Sequence, residues 1–193
     1  MATIYKCCHG QTIRPGKSWV DEHGVTHPAN WHTWSAAEKA AHGIVEIIEQ
    51  PAPDSRLYNW SYNADGTVNS TPKALDDINE VNDDGSPMLD SDGKQIVTRG
   101  VKSTLIAEVK AQQGALLAQT DWAVIRYADT GISVPANVQQ WRNEIRLAAS
   151  AMEDQIAQAT TTDAVAALFV TYTQNADGTT TKTGVLYDWP VLL

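Results

Sequence analysis

One phenylalanine, two cysteines and 14 basic residues are what this 193-residue chain has least of. The cysteines, Cys7 and Cys8, are adjacent, so a bridge between them would close a strained ring and tie no distant segments together; a disulfide scaffold is excluded and the thiols are expected to be reduced. Fourteen Lys and Arg against 23 Asp and Glu leave a net charge of -9. That balance argues against a nucleic-acid partner, because phosphate binding is driven by basic side chains. No run approaches the roughly 20 apolar residues of a spanning helix, and Met1-Ala2-Thr3-Ile4-Tyr5-Lys6 lacks an apolar signal core. No membrane partner and a cytoplasmic location are therefore expected. Also missing are the nucleophile elbow, the phosphate-binding loop, the H-E-x-x-H helix, the dinucleotide fingerprint and zinc-deaminase patterns. No catalytic residue and no cofactor is predicted.

What is present suits a folded domain: 42% hydrophobic and 19% charged residues are ordinary globular values, and the length supports one core or two small ones. All five histidines, His9, His23, His27, His32 and His42, lie in the first 42 residues beside the cysteines, which raises zinc. The spacing does not support it, since the thiols are vicinal and only His23 with His27 or His27 with His32 is suitably spaced, so no metal site is predicted. Cys8 and His9, as neighbours on a strand, would point to opposite faces and make a poor thiolate–base pair. Between Asp76 and Asp92 there are seven carboxylates and no Lys or Arg. Placing Glu80, Asn82 and Asp84 at calcium-loop positions one, three and five puts Gly85 correctly at six but Ser91 at twelve, where a bidentate Glu is required. The segment reads instead as a solvated connector rich in turn residues.

Local patterns give the elements. Thr3 to His9, Lys17 to Val20 and Val25 to His27 read as short strands, the latter two flanking Asp21-Glu22-His23-Gly24. Ser35-Ala36-Ala37-Glu38 is a capping box opening a two-turn helix from Ala36 to His42, before Gly43. Ile44 to Ile48 is β-branched, and Leu57 to Tyr62 with Thr67 to Asn69 flank Asn63-Ala64-Asp65-Gly66 as a hairpin. A helix is predicted over Lys102 to Gln119. Beyond Gly131 and Pro135, Val138, Trp141, Ile145, Ala148 or Ala149, Met152 and Ile156 recur at spacings of three and four as one helix face. That stripe fits the inside of a helical hairpin or, with fewer heptads than such a seam needs, a homo-oligomeric coiled coil. A short helix over Ala164 to Leu168 precedes Phe169 to Thr173 and Thr179 to Tyr187, a hairpin around Asn175-Ala176-Asp177-Gly178. The echo of the earlier Asn-Ala-Asp-Gly-Thr turn is too short for a structural repeat and reads as convergent turn chemistry. The expected fold is α+β: N-terminal short strands with one short helix over 1–75, an acidic connector over 76–100, and a central helical hairpin with a C-terminal β-hairpin over 101–193.

Seven tryptophans against one phenylalanine bring protein or carbohydrate binding into view, because indole is enriched where a large amphipathic ring meets a partner. Core packing is the plainer role for Trp141 on its stripe and for Trp31 and Trp34 beside the capped helix. Paired carboxylates for glycoside hydrolysis cannot be picked from 23 acidic residues.

Four groups of residues carry a family resemblance. Leu116-Leu117-Ala118-Gln119-Thr120-Asp121-Trp122 resembles the L-L-x-x-T/S-D-W segment of bacteriophage tail assembly and tail-fibre assembly chaperones. Trp141-Arg142-Asn143-Glu144-Ile145-Arg146 is similar to that family's Y-R-x-x-L-R helix, with Trp in place of Tyr. His27-Pro28-Ala29-Asn30-Trp31, leading to Ser35 through Glu38 and His42-Gly43-Ile44, resembles a module preceding such segments, and the closing Trp189-Pro190 recurs there too. Compact members end soon after the arginine-bearing helix, whereas a hairpin follows here. The resemblance implies a non-enzymatic protein without cofactor that binds a phage tail or tail-fibre protein. The implied partner surface contains Trp122, Trp141, Arg142, Ile145 and Arg146. Its expected location is the bacterial host cytoplasm during assembly, or the virion tail if it stays attached. Two alternatives are a permanent tail component, such as a baseplate or fibre-connecting subunit, and a carbohydrate-binding module.

Overall fold

The computed structural model describes residues 3–7 and 10–192; the Cys8–His9 pair and the ends of the chain lie outside the described residues. The architecture is mixed α+β, with short antiparallel strand pairs, a central helical region and a C-terminal strand pair. Two units share the chain, one ending at Thr71 and the other starting at Pro72.

In the first unit, β1 (Thr3–Lys6) is the middle strand of an antiparallel sheet, paired with β2 (Thr12–Ile13) and, further along the chain, with the strand Val45–Ile48. Between these, β3 (Trp19–Val20) and β4 (Thr26–His27) form a hairpin in which Trp19 opposes His27. The expected capping box is present: Ser35 accepts from the Glu38 N–H and the Glu38 carboxylate accepts from the Ser35 N–H, starting α1 (Ala36–Ala41). The strand Val45–Ile48 is β5, and β6 (Tyr58–Tyr62) pairs with β7 (Val68–Pro72). Cys7, Ile13, Trp19, Trp31 and Ile44 form the core, with Tyr5 and Trp34 against it. Trp31 is fully buried and its indole N–H donates to the Lys17 carbonyl at 2.9 Å, so the ring enters the core without an orphaned donor.

The second unit begins with a small ring of strands. β8 (Ile78–Asn79) pairs with β9 (Val97–Thr98), and single bridges join Val81 to Pro87 and Leu89 to Gln95. The Glu80 N–H donates to the Ile96 carbonyl, Met88 to Glu80 and Ile96 to Met88, at 2.9, 2.9 and 2.8 Å. Three residues spaced by eight thus close a cycle. The Gln95 amide nitrogen lies 2.5 Å from the Glu80 carbonyl and 3.3 Å from those of Met88 and Ile96, at the centre of the ring. The segment read as a connector is folded, and its residues from Val81 to Lys94 stay exposed.

Residues 74–77 seat this ring on the next helix, α2 (Val101–Ala118). The free N–H groups of Val101 and Lys102 donate to the Ala74 and Leu75 carbonyls at 2.9 and 3.0 Å, and Gly100 N–H donates to Asp77 Oδ1 at 2.8 Å. These are the groups a helix start leaves unpaired, satisfied from a distant segment because Gly100 carries no side chain to do it. Donation from Ser103 first, and then from the Gly100 N–H, holds the Asp77 carboxyl below its ordinary range.

α2 packs along α4 (Ala136–Gln158), burying Leu105 and Val109 of the first and Val138, Trp141, Ile145, Ala149, Met152 and Ile156 of the second. The stripe legible at spacings of three and four is the buried face. Between the two stands a further helix, α3 (Asp121–Thr130), ended by Gly131 in the left-handed region at φ 73°. α5 (Thr162–Ala166) leads to β10 (Thr171–Gln174) and β11 (Thr180–Thr183), paired from Thr171–Thr183 to Gln174–Thr180.

Candidate interaction site

α2 ends at Ala118 and the chain turns through Gln119 and Thr120 into α3, a corner held from α4. The Arg142 Nη1 atom lies 2.7 Å from the Leu117 carbonyl oxygen, 2.8 Å from Thr120 Oγ1 and 2.9 Å from Asp121 Oδ1. A cation at the last carbonyls of α2 opposes the negative end of the helix dipole, while Asp121 carries negative charge into the first turn of α3. Thr120 is buried, which explains a small hydroxyl between the helices. The motif pieces Leu117-x-x-Thr120-Asp121 and Trp141-Arg142 therefore meet in space.

Trp141 and the closing Trp-Pro meet as well. The Trp141 indole N–H donates to the Pro190 carbonyl at 2.9 Å, and the Trp189 indole N–H donates to Gln112 Oε1 of α2 at 2.7 Å. Tyr187 donates its hydroxyl to Glu108. The terminal segment thus lies on the α2–α4 pair. Its approach depends on Gly184, where an added Cβ would sit 2.2 Å from the Phe169 carbonyl oxygen.

Of the five residues implied as a partner surface, two face inward. Trp141 is 4% exposed and Ile145 is fully buried, so the helical period that exposes one side of α4 hides these two. Arg142 is mostly buried and occupied by the helix corner. Trp122 and Arg146 remain at the surface. Trp122 is 53% exposed, and the Arg126 guanidinium carbon lies 5.1 Å from its ring centre, a cation–π contact one turn along. Arg146 donates weakly to the Arg142 carbonyl at 3.2 Å and to Asn143 Oδ1 at 3.4 Å, and has no carboxylate partner among the described residues.

Sequence reasoning missed α3. That helix buries only Ala123, while Trp122, Val124, Ile125 and Tyr127 are all exposed. Beside it, Val124, Tyr127, Val134, Gln139, Arg142 and Arg146 line an open cleft of about 450 Å³ between α3 and α4. One wall is apolar and the other carries two guanidinium groups. Such a surface holds no nucleophile–base pair; chemically it suits apolar side chains with carboxylates nearby.

The first unit contains a second cluster. His27 is buried, stacks on Trp19 at 4.2 Å between ring centres, and places Nε2 3.0 Å from Asp21 Oδ2. His42 and Trp34 approach the same imidazole at 4.8 and 6.0 Å. The hydrogen bond with His27, followed by donation from the Val25 N–H, holds the Asp21 carboxyl below its ordinary value. Among the described residues no three His, Cys, Asp or Glu side chains are grouped to hold a metal ion, and no described helix is long and apolar enough to cross a membrane. Comparisons with protein-family models, curated proteins and solved structures found no match.

Proposed function

We propose that this chain is a non-enzymatic bacteriophage tail protein that binds a tail or tail-fibre protein and assists its assembly in the host cytoplasm. The observation that carries the reading is α3, a ten-residue helix that buries Ala123 and presents Trp122, Val124, Ile125 and Tyr127 to solvent. Exposed apolar side chains grouped on one element mark interaction surfaces. Arg142 holds this helix in place through the residues that carry the family resemblance. Long β-rich fibres expose strand edges before their chains are in register, and a soluble acidic helper that covers apolar segments protects them. Trp122 on α3 and Arg146 on α4 are the anchors in this reading; the buried Trp141 and Ile145 seat α4, and Arg142 ties the start of α3 to it.

Quantitative mass spectrometry of gradient-purified particles beside the infected-cell lysate tests the proposal. Abundance in lysate with absence from particles fits an assembly helper released afterwards. A fixed copy number in particles makes the chain a permanent tail component instead. Absence of co-purification with any tail protein from the lysate overturns both.

A further inference from the structure

Four Asp-Gly pairs occupy the same place in the same kind of turn: Asp65-Gly66, Asp84-Gly85, Asp92-Gly93 and Asp177-Gly178. In each the glycine has positive φ, at 84, 81, 77 and 83°. Each glycine N–H donates to the carbonyl three residues back, at 3.1, 2.9, 3.1 and 3.0 Å. The backbones are equivalent, but the carboxylates are not. Asp65 Oδ1 accepts from the Thr67 N–H at 3.0 Å and its hydroxyl at 2.6 Å. Asp84 is held by Ser86 at 2.9 and 2.6 Å, and Asp177 by Thr179 at 2.9 and 2.6 Å. In the remaining turn Lys94 follows the glycine and offers no hydroxyl. Its N–H and that of Asp92 both donate to Asp90 Oδ1 at 2.9 Å, which leaves the Asp92 carboxylate without a hydrogen bond or ion pair among the described residues.

We infer that Asp92 is a site of spontaneous backbone isomerisation, the one Asp-Gly pair of the four whose side chain is released to react with the following amide. The Gly93 nitrogen attacks Cγ of Asp92 in its neutral acid form. An N–Cγ bond forms, the C–OH bond breaks, and the amide proton leaves with the hydroxyl as water, giving a five-membered imide. Water then adds to either imide carbonyl. Opening at the former main-chain carbonyl gives an isoaspartyl link through Cγ, and opening at Cγ restores aspartate. Water is released and then consumed, and no oxidant or reductant takes part. Glycine matters because it places no Cβ in the path of attack. In the other three turns the side chain must first give up two hydrogen bonds, which also favour the unreactive ionised carboxylate: donation by Thr67, Ser86 and Thr179 holds Asp65, Asp84 and Asp177 below the ordinary range. The isoaspartyl link lengthens the backbone next to Gln95, so the Asp90–Lys94 closure no longer fits and the Gln95 amide leaves the ring of carbonyls.

The test is incubation of the whole protein in heavy-oxygen water at neutral pH, with fragment-ion sequencing to place the label and the isoaspartate. Expected is label at residue 92 about tenfold above each of residues 65, 84 and 177, since hydrogen bonds to a charged carboxylate are among the stronger ones. A sample unfolded in denaturant should label all four alike. Equal labelling of the four sites in the folded protein, or no label at residue 92 while the unfolded chain reacts, overturns the inference. Ser86→Ala, a surface change in an exposed turn, should raise labelling at Asp84 several-fold; unchanged labelling there would refute the carboxylate clamp on which the selectivity rests.

Discussion

The Arg142 guanidinium lies 2.7 Å from the Leu117 carbonyl oxygen, joining the second turn of α4 to the end of α2. The same nitrogen reaches Thr120 and Asp121, so a single side chain sets the angle at which α3 leaves α2. Arg142→Ala is expected to lower stability by about 2 kcal/mol, the cost of unpairing the partly buried Leu117 carbonyl and the buried Thr120 hydroxyl, with the half-exposed Asp121 carboxylate adding little. Arg142→Lys should recover only part of this, because an ammonium lacks the planar fork. Denaturant titration of both variants, read by tryptophan fluorescence, is the check; equal stability of wild type and Arg142→Ala would show that the corner is held by packing alone.

Trp122 and Trp141 should behave in opposite ways. Trp122→Ala removes an exposed ring and should change stability by less than about 0.5 kcal/mol, while partner recovery from lysate falls. Trp141→Ala empties a core position and should cost about 3 to 5 kcal/mol. If Trp122→Ala stays folded and recovers tail proteins as well as wild type does, α3 is not the binding surface.

Two glycines make a contrast of sign. Gly184 has φ 82°, with the Phe169 carbonyl in the way of any Cβ. Gly184→Ala should therefore destabilise by about 2 kcal/mol or more, from strain and collision together. Gly114 lies inside α2 with open space around it, and Gly114→Ala should stabilise by roughly 0.5 to 1 kcal/mol. Melting curves of the two variants should move in opposite directions.

Asp177 should titrate below the 3.8 of an ordinary aspartate, because the Thr179 hydroxyl and then its N–H donate to the ionised form. A folded pKa below the unfolded one means that the stabilisation is complete above about 3.8 and is lost as pH falls through the folded pKa. Thr179→Val should bring the Asp177 pKa upward, measured by the carboxyl carbon chemical shift in an acid titration. No change in that shift would mean the hydroxyl does not hold the carboxylate.

Legibility in the sequence followed how strongly burial dictated spacing. Val138, Trp141, Ile145, Ala149, Met152 and Ile156 are all buried, and their period was visible because one continuous face does one job. The Ser35–Glu38 box was legible because its two hydrogen bonds are local. α3 was not, since a helix with one buried residue leaves no periodic signature. The site suffered for the same reason: the pattern that identified α4 also marked Trp141 and Ile145, the residues that it hides. The ring over residues 80–96 was missed because its period of eight is carried by hydrogen bonds between main-chain groups. Only Val81, Leu89 and Val97 with Gly85 and Gly93 record it in the side chains.

That ring has a consequence for how the protein behaves at high local concentration. Glu80, Met88 and Ile96 each spend both main-chain groups on one another, so these three positions have no main-chain group left for another chain. Val81, Leu89 and Val97 remain at the surface, apolar side chains beside main-chain groups that an incoming strand would otherwise pair with. A ring closed by its own main-chain hydrogen bonds offers an incoming chain nothing to continue at its centre, so the segment is kept out of pairing with neighbouring molecules without any help from its side chains.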